Sequence, residues 1–438
     1  MKRLALALFA VPVLLGCAAK SNLTKRDQVT VYLQKGDGVK AIPLLAELRK
    51  DDPTDLSLAR AEAEAYVKAS QPQVLLDRLK GDDSALGHYQ KGLVLFARSA
   101  DATGPAVEEF TAATAKSPNE GEFHYRLGLA QLESERFELA LPELKKALEL
   151  NPNAAGWQLP YAKALYRGGD AKAAVAALRK VVTSQPSPGE VKTARALMEQ
   201  ISDPFVGFPA QAKAQLEKGM QWLDVADVPQ QAIISFEEIL RDYPDLAVVH
   251  SLLGLAYQRL DDAGRAVDEF KRALELNPDD GKNDLYLANI YLARQRPQQA
   301  KEHLESAIAK NPLLDEAWRA KGDLELGARE YDKARGTFQT LASLEPDGAD
   351  ANTKLAAVQQ LEGDFPAADK QLKRIHDKDP DNMGVVLQLG LLHTEWYLKA
   401  KVPAEKKVAL GEANKWLDEV LEKQPDNAIA SEAKQQLH

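Results

Sequence analysis

The sequence predicts an all-α fold built from repeated helix pairs, and three observations carry that reading. Prolines recur at positions 118, 152 and 186, then at 244, 278, 312, 346 and 380, and every step inside the two groups is 34 residues. Small and bulky residues keep the same register. Ala140, Ala174, Ala266, Ala300, Ala334, Ala368 and Ala413 hold one place, while Phe110, Leu144, Leu178, Phe236, Phe270, Leu304, Phe338, Leu372 and Leu417 hold another. Aromatic residues make up only 6% of the chain, and no run of alternating β-branched residues calls for a strand.

The clearest unit runs from Ala247 to Pro278. It contains two amphipathic helical segments joined by a polar turn at Asp261-Asp262, and Pro278 ends the second. Gly254 and Ala266 let the two helices cross closely, while Tyr257 and Phe270 fill the space beside the crossing. The ordered set Leu253, Gly254, Tyr257, Ala266, Phe270, Ala273 and Pro278 resembles the tetratricopeptide repeat, a 34-residue helix–turn–helix unit. The resemblance implies a right-handed α-solenoid of about eleven such units, covering nearly all of the chain after its first residues.

The units follow in order. Asn22 to Pro53 carries Tyr32, Ala41, Leu45 and Leu48 in register, and Leu56 to Asp83 is degenerate, with a short second helix. Ser84 to Pro118 has Gly92 two places early, offset by a longer turn, and two full-length units end at Pro152 and Pro186. The rhythm then slips: a helix-like run, Gly189 to Ile201, precedes Asp203-Pro204-Phe205-Val206-Gly207-Phe208-Pro209. Prolines and a glycine around two phenylalanines do not continue a helix, which places a hinge at 203–210 between an N-terminal array with its capping helix (22–202) and a C-terminal array with its cap (211–438). The last unit carries an 11-residue insertion near 395–405, read as an extension of the first helix with Trp396 and Tyr397 packed inward.

The N-terminus reads differently. Met1-Lys2-Arg3 is a basic start and Leu4 to Leu15 an apolar stretch too short to span a bilayer core, so residues 1–16 are expected to be a signal peptide. Leu14-Leu15-Gly16-Cys17 resembles the bacterial lipobox, which implies acylation of Cys17 followed by a short tether, 17–21. Ala18 in place of aspartate resembles the outer-membrane sorting pattern, so the expected location is the outer membrane, lipid-anchored and facing the periplasm.

Residue types for catalysis are scattered. The seven histidines show no metal spacing, and no phosphate-cradling glycine loop or nucleophile elbow is present, so no enzyme, metal or cofactor is expected. His124 and His250 share one repeat position, which points to packing, and the paired acids Asp261-Asp262 and Asp279-Asp280 sit where helix N-termini need caps. The net charge of −9, spread along the chain, argues against nucleic acid.

A binding surface remains. In the resembled family the first helix of each pair lines a groove through positions 2, 5, 9 and 12. Carried over, these give Tyr125, Leu129, Leu132, Leu159, Lys163, Tyr166, Leu285, Asn289, Leu292, Glu316, Arg319 and Asp323. Such a groove suits an extended segment or amphipathic helix of a protein partner. Asn289 stands without the paired lysines and asparagines of a carboxylate clamp. The expected function is a membrane-anchored periplasmic scaffold that binds cell-envelope proteins in assembling or stabilising a pilus, secretion, polysaccharide-export or motility machine. The alternative is an accessory protein binding peptidoglycan or polysaccharide through Tyr125, Tyr166 and Trp157.

Overall fold

A computed structural model describes residues 24–98, 103–346 and 348–437. Cys17, the expected signal peptide at 1–16 and the expected tether at 17–21 lie outside the described residues. The fold is an all-α repeat solenoid, with no strand among the described residues. Two compact units divide after Pro152.

The first unit holds four helix pairs, from Lys25–Gln34 with Gly38–Asp51 to Gly121–Glu133 with Phe137–Leu150. The second opens with Gln158–Arg167 and Ala171–Thr183, followed by the single helix Pro188–Ile201. Six further pairs run from Lys213–Met220 with Pro229–Asp242 to Met383–Lys399 with Pro403–Lys423, and Ala428–Gln435 closes the chain. The described pairs therefore number eleven, matching the about eleven units that the repeat resemblance implies.

One contact explains the register. The Cβ that alanine would add at Gly254 would stand 2.5 Å from Phe270 Cε1, and Gly92, Gly219 and Gly322 meet Phe110, Phe236 and Phe338 in the same way. These four phenylalanines are fully buried. Where alanine takes the glycine's place, at Ala162, Ala288 and Ala356, leucine takes the phenylalanine's, at Leu178, Leu304 and Leu372. Volume is thus traded across these crossings, although Gly128 and Gly390 face leucines, Leu144 and Leu417, so the exchange is not general.

The turns inside the pairs are equally regular. A left-handed residue recurs at Gly36 and Ser70, at Glu135 and Gly169, and at Asp227, Asp261, Gln295, Arg329 and Gly363. The next residue's amide then closes back onto the first helix, as Asp262 N does to Tyr257 O at 2.9 Å. Asp262 also caps the second helix, accepting from Arg265 N at 3.1 Å, and Asp280 likewise accepts from Lys282 N.

Two departures from the 34-residue rhythm are absorbed inside helices. The Gly219–Phe236 pair is one residue further apart than Gly254–Phe270, and a single π-helical turn, Gln221–Val225, takes up the extra residue. The insertion near 395–405 lengthens both helices of the last pair, to 17 and 21 residues against 13 and 14 in Ala247–Arg259 and Ala263–Leu276. Trp396 is half-buried and stacks on Phe365 at 6.0 Å, the inward packing expected from the sequence.

Candidate protein-interaction surface

First helices of successive pairs lie beside one another, joined by polar ladders. In the first unit Glu122, buried, accepts from Tyr89 Oη at 2.9 Å and Arg126 Nε at 2.8 Å, with Arg60 Nη1 at 3.8 Å. Burial, reinforced by the Glu122 carboxylate, pushes the Tyr89 phenol far up, so it stays protonated and donating. Glu62 is held similarly by Arg78 Nη2 at 2.6 Å and Gln90 Nε2 at 2.9 Å. Glu122 and Arg126 stand four residues apart on one helix, a spacing legible in the sequence, whereas Glu62 and Arg78, sixteen apart on the two helices of a pair, carry no such signal.

In the second unit the ladder lies at the expected groove positions. Arg319 Nη2 reaches Glu345 at 2.8 Å and its Nε reaches Asp350 at 2.9 Å; Lys354 Nζ reaches both oxygens of Asp323 at 2.8 Å. Arg319 and Asp323 therefore join one repeat to the next, and their charges are largely neutralised there.

The other expected groove residues divide by exposure. Tyr125, Leu129, Lys163, Tyr166 and Asn289 are half-buried, and Asp323 is exposed. Tyr166 Oη donates to Gln200 O at 3.1 Å, and the Arg126 guanidinium lies 5.4 Å from the Tyr125 ring centre. Leu132, Leu159 and Leu285, expected at the surface, are buried instead. They occupy positions 5 and 12, on one stripe with position 8 at the helix crossing; at the same positions the longer Tyr125 and Tyr166 side chains stay half-buried. Arg319, also at position 5, is half-buried, its long stem carrying the guanidinium to Glu345 and Asp350. Trp157 is buried too, so it offers no platform for a sugar ring.

The histidines are structural ties. His124 Nδ1 pairs with Glu143 at 2.6 Å while its Nε2 donates to Pro118 O; His250 repeats this with Glu269 and Pro244. Each joins the first helix of a pair to the second and to the proline that precedes it. Burial opposes a charge on His250, but the hydrogen bonds to Glu269 and Pro244 O outweigh it and raise its pKa. Among the described residues no three His, Cys, Asp or Glu side chains are placed to hold a metal.

Within the second unit, helices from both sides of residues 203–210 pack together. Arg195 Nη2 forks onto both carboxylate oxygens of Asp315 at 2.8 Å, and its Nη1 donates to Leu313 O at 3.2 Å. Arg179 Nη2 donates to Ala309 O at 2.8 Å, at the end of helix Pro297–Lys310. Beside this junction is a cleft of about 520 Å³ whose walls include Thr183, Lys301, Trp318, Lys321 and Thr337. Phe208 packs against the second-unit core, while Phe205 and Val206 remain exposed.

Comparison with known proteins agrees with this architecture. Two family descriptions, both "Tetratricopeptide repeat", match residues 131–198 with 257–324 and 105–155 with 319–382, together about half of the chain. The chain belongs to the tetratricopeptide repeat family. Its repeats imply protein partners. Human protein O-mannosyl-transferase TMTC1 is 23% identical over 265 residues, 60% of this chain, and the chain spans 26% of that relative's length. Among solved structures, Pseudomonas aeruginosa PilF is similar with a TM-score of 0.41 and 15% identity, over 51% of this chain and 97% of that one. YrrB, a TPR protein with an unusual peptide-binding site, has a TM-score of 0.40 and 18% identity, over 46% and 97%. PilW, a type IV pilus biogenesis factor, has a TM-score of 0.39 and 17% identity, over 52% and 99%.

Proposed function

We propose that the protein is a non-catalytic scaffold, anchored to the periplasmic face of the outer membrane through Cys17, that binds protein segments of a cell-envelope machine along its first-helix face. The observation carrying the partner reading is that each unit has half-buried first-helix residues, Tyr125 and Leu129 in the first and Lys163, Tyr166 and Asn289 in the second, in a chain of this repeat family. Apolar bodies with polar tips suit an extended or helical peptide, which gains contact area while its polar groups stay paired. The anchor reading rests on Leu14-Leu15-Gly16-Cys17 after a short apolar stretch, and no described helix is long and apolar enough to cross a membrane. The particular machine, whether pilus, secretion, polysaccharide export or motility, is left to the partner's identity.

Crosslinking and pull-down from envelope fractions tests both halves. Wild type is compared with Cys17→Ser and with the Tyr125→Ala, Tyr166→Ala double variant. The expected outcome is loss of membrane attachment in the first and loss of partners, with attachment kept, in the second. Capture of glycan strands without any protein partner would overturn the scaffold reading, and attachment that survives Cys17→Ser would overturn the anchor.

A further inference from the structure

The lengthened last helix pair ends in a surface unlike the rest of the chain. Its extra residues carry the turn between Met383–Lys399 and Pro403–Lys423 outward, and residues 401–408 are exposed without a break. Three branched apolar side chains stand on this tip: Leu398, Val402 and Val408 are 53%, 49% and 57% exposed. Four lysines, Lys399, Lys401, Lys406 and Lys407, accompany only two acids, Glu395 and Glu405, in a chain whose net charge is −9. Glu395 and Lys399 pair with each other at 2.5 Å, with Gln360 also on Glu395, which leaves Lys401, Lys406 and Lys407 against Glu405. At the base, Glu412 of the same helix is held by Lys373 of Phe365–Lys378 at 3.0 Å. Lys406 lies 4.8 Å over the Tyr397 ring, which keeps its ammonium at the tip.

From this juxtaposition we infer that the tip of the last helix pair is a docking site for a lipid surface with anionic headgroups. The shape decides between occupants. A peptide gains affinity by filling a groove, and residues 401–408, exposed throughout, wall none. A bilayer interface takes up protruding apolar side chains, while phosphates meet the lysines around them. Long lysine stems suit this arrangement because they lie along apolar surface and keep the charge at headgroup level. The inference is independent of the Cys17 reading, and its test uses a chain that cannot be acylated there.

The full chain carrying Cys17→Ser has no other cysteine, so Ala404→Cys introduces one attachment point at the tip for an environment-sensitive dye. Ile429→Cys, on another exposed surface, serves as the control. Vesicles of phosphatidylglycerol mixed with phosphatidylcholine are added, and then phosphatidylcholine vesicles alone. The expected result is a blue-shifted, brighter signal at position 404 with the anionic vesicles only, and none at 429. Lys401→Glu, Lys406→Glu, Lys407→Glu is expected to weaken the apparent affinity by about tenfold or more. Val402→Asp, Val408→Asp should abolish the blue shift, with the circular-dichroism melt unchanged in both variants. No signal at 404, an equal signal with neutral vesicles or at 429, or an unaffected triple-lysine variant would overturn the inference. So would a response to polyglutamate in place of vesicles, which would assign the tip to an acidic protein.

Discussion

Gly254 and Phe270 touch so closely that a methyl group on the glycine would sit 2.5 Å from the ring. Gly254→Ala is expected to destabilise its repeat by about 1–3 kcal/mol, the usual result of overpacking. The Ala288 and Leu304 pair at the same register shows how the chain accommodates the methyl. Phe270→Leu in the Gly254→Ala background should therefore recover much of the loss, although Phe270→Leu alone leaves a gap. Amide hydrogen exchange of helices Ala247–Arg259 and Ala263–Leu276 measures this repeat separately from its neighbours. A purely additive double variant would show that the crossing volume is not what couples the two positions.

Arg195 and Asp315 join helices on either side of 203–210, yet the two partners are not equivalent. Burial raises the Asp315 pKa more than Arg195 lowers it, so the folded protein holds this carboxylate less readily than water does. A folded pKa above the unfolded one means the group's contribution is fully present below the unfolded value and lost as pH rises through the folded value. Neutralising the acid thus costs little. Arg195→Ala, by contrast, strands Asp315 and removes a donor from Leu313 O. It is expected to cost about 1–3 kcal/mol, and Asp315→Asn about 1 kcal/mol or less. Urea unfolding of both variants checks the order; equal losses would contradict it.

That contact marks where sequence reading stopped. The helix pairs, their turns and the Gly254–Phe270 crossing were legible because each depends on residues within one 34-residue period. The Arg195–Asp315 fork spans 120 residues and obeys no period, so nothing local announces it. The groove was legible only in part. Position numbers located the first-helix face, but Leu132, Leu159 and Leu285 are buried because a stripe facing a neighbouring helix overlaps the stripe facing solvent. Burial of Glu62 and Glu122 was hidden in another way: each pairs with a cation of its own repeat, Arg78 and Arg126, but its other partners, Gln90 and Tyr89, come from neighbouring repeats.

His250 should make the stability of its repeat depend on pH. Its folded pKa lies above the ordinary value of about 6.5, so its contribution is complete below that value and fades as pH rises through the folded pKa. The gap in stability between wild type and His250→Gln is therefore expected to be larger at about pH 5.5 than at about pH 9. Hydrogen exchange across helices Ala247–Arg259 and Ala263–Leu276 at the two pH values reads it, and an NMR titration of the imidazole gives the pKa directly. A gap that does not change with pH would show that the Glu269 bond does not favour the charged ring.

Arg329 occupies the left-handed turn position, with a φ of 61°, that glycine holds at Gly36, Gly169 and Gly363. A side chain there costs roughly 1–2 kcal/mol of backbone strain, while glycine adds about 0.5–1 kcal/mol of entropy to the unfolded chain. The difference favours glycine. Arg329 is exposed, so its side chain buries little in return. Arg329→Gly is expected to stabilise the pair Asp315–Gly327 and Tyr331–Leu344 by up to about 1 kcal/mol, and Gly363→Arg to destabilise its own pair by about 1–2 kcal/mol. Because repeats unfold with partial independence, local hydrogen exchange is the fitting measurement rather than one global midpoint. Opposite signs at the two turns would confirm that backbone geometry, and not side-chain contact, sets the residue preference at this step of the repeat.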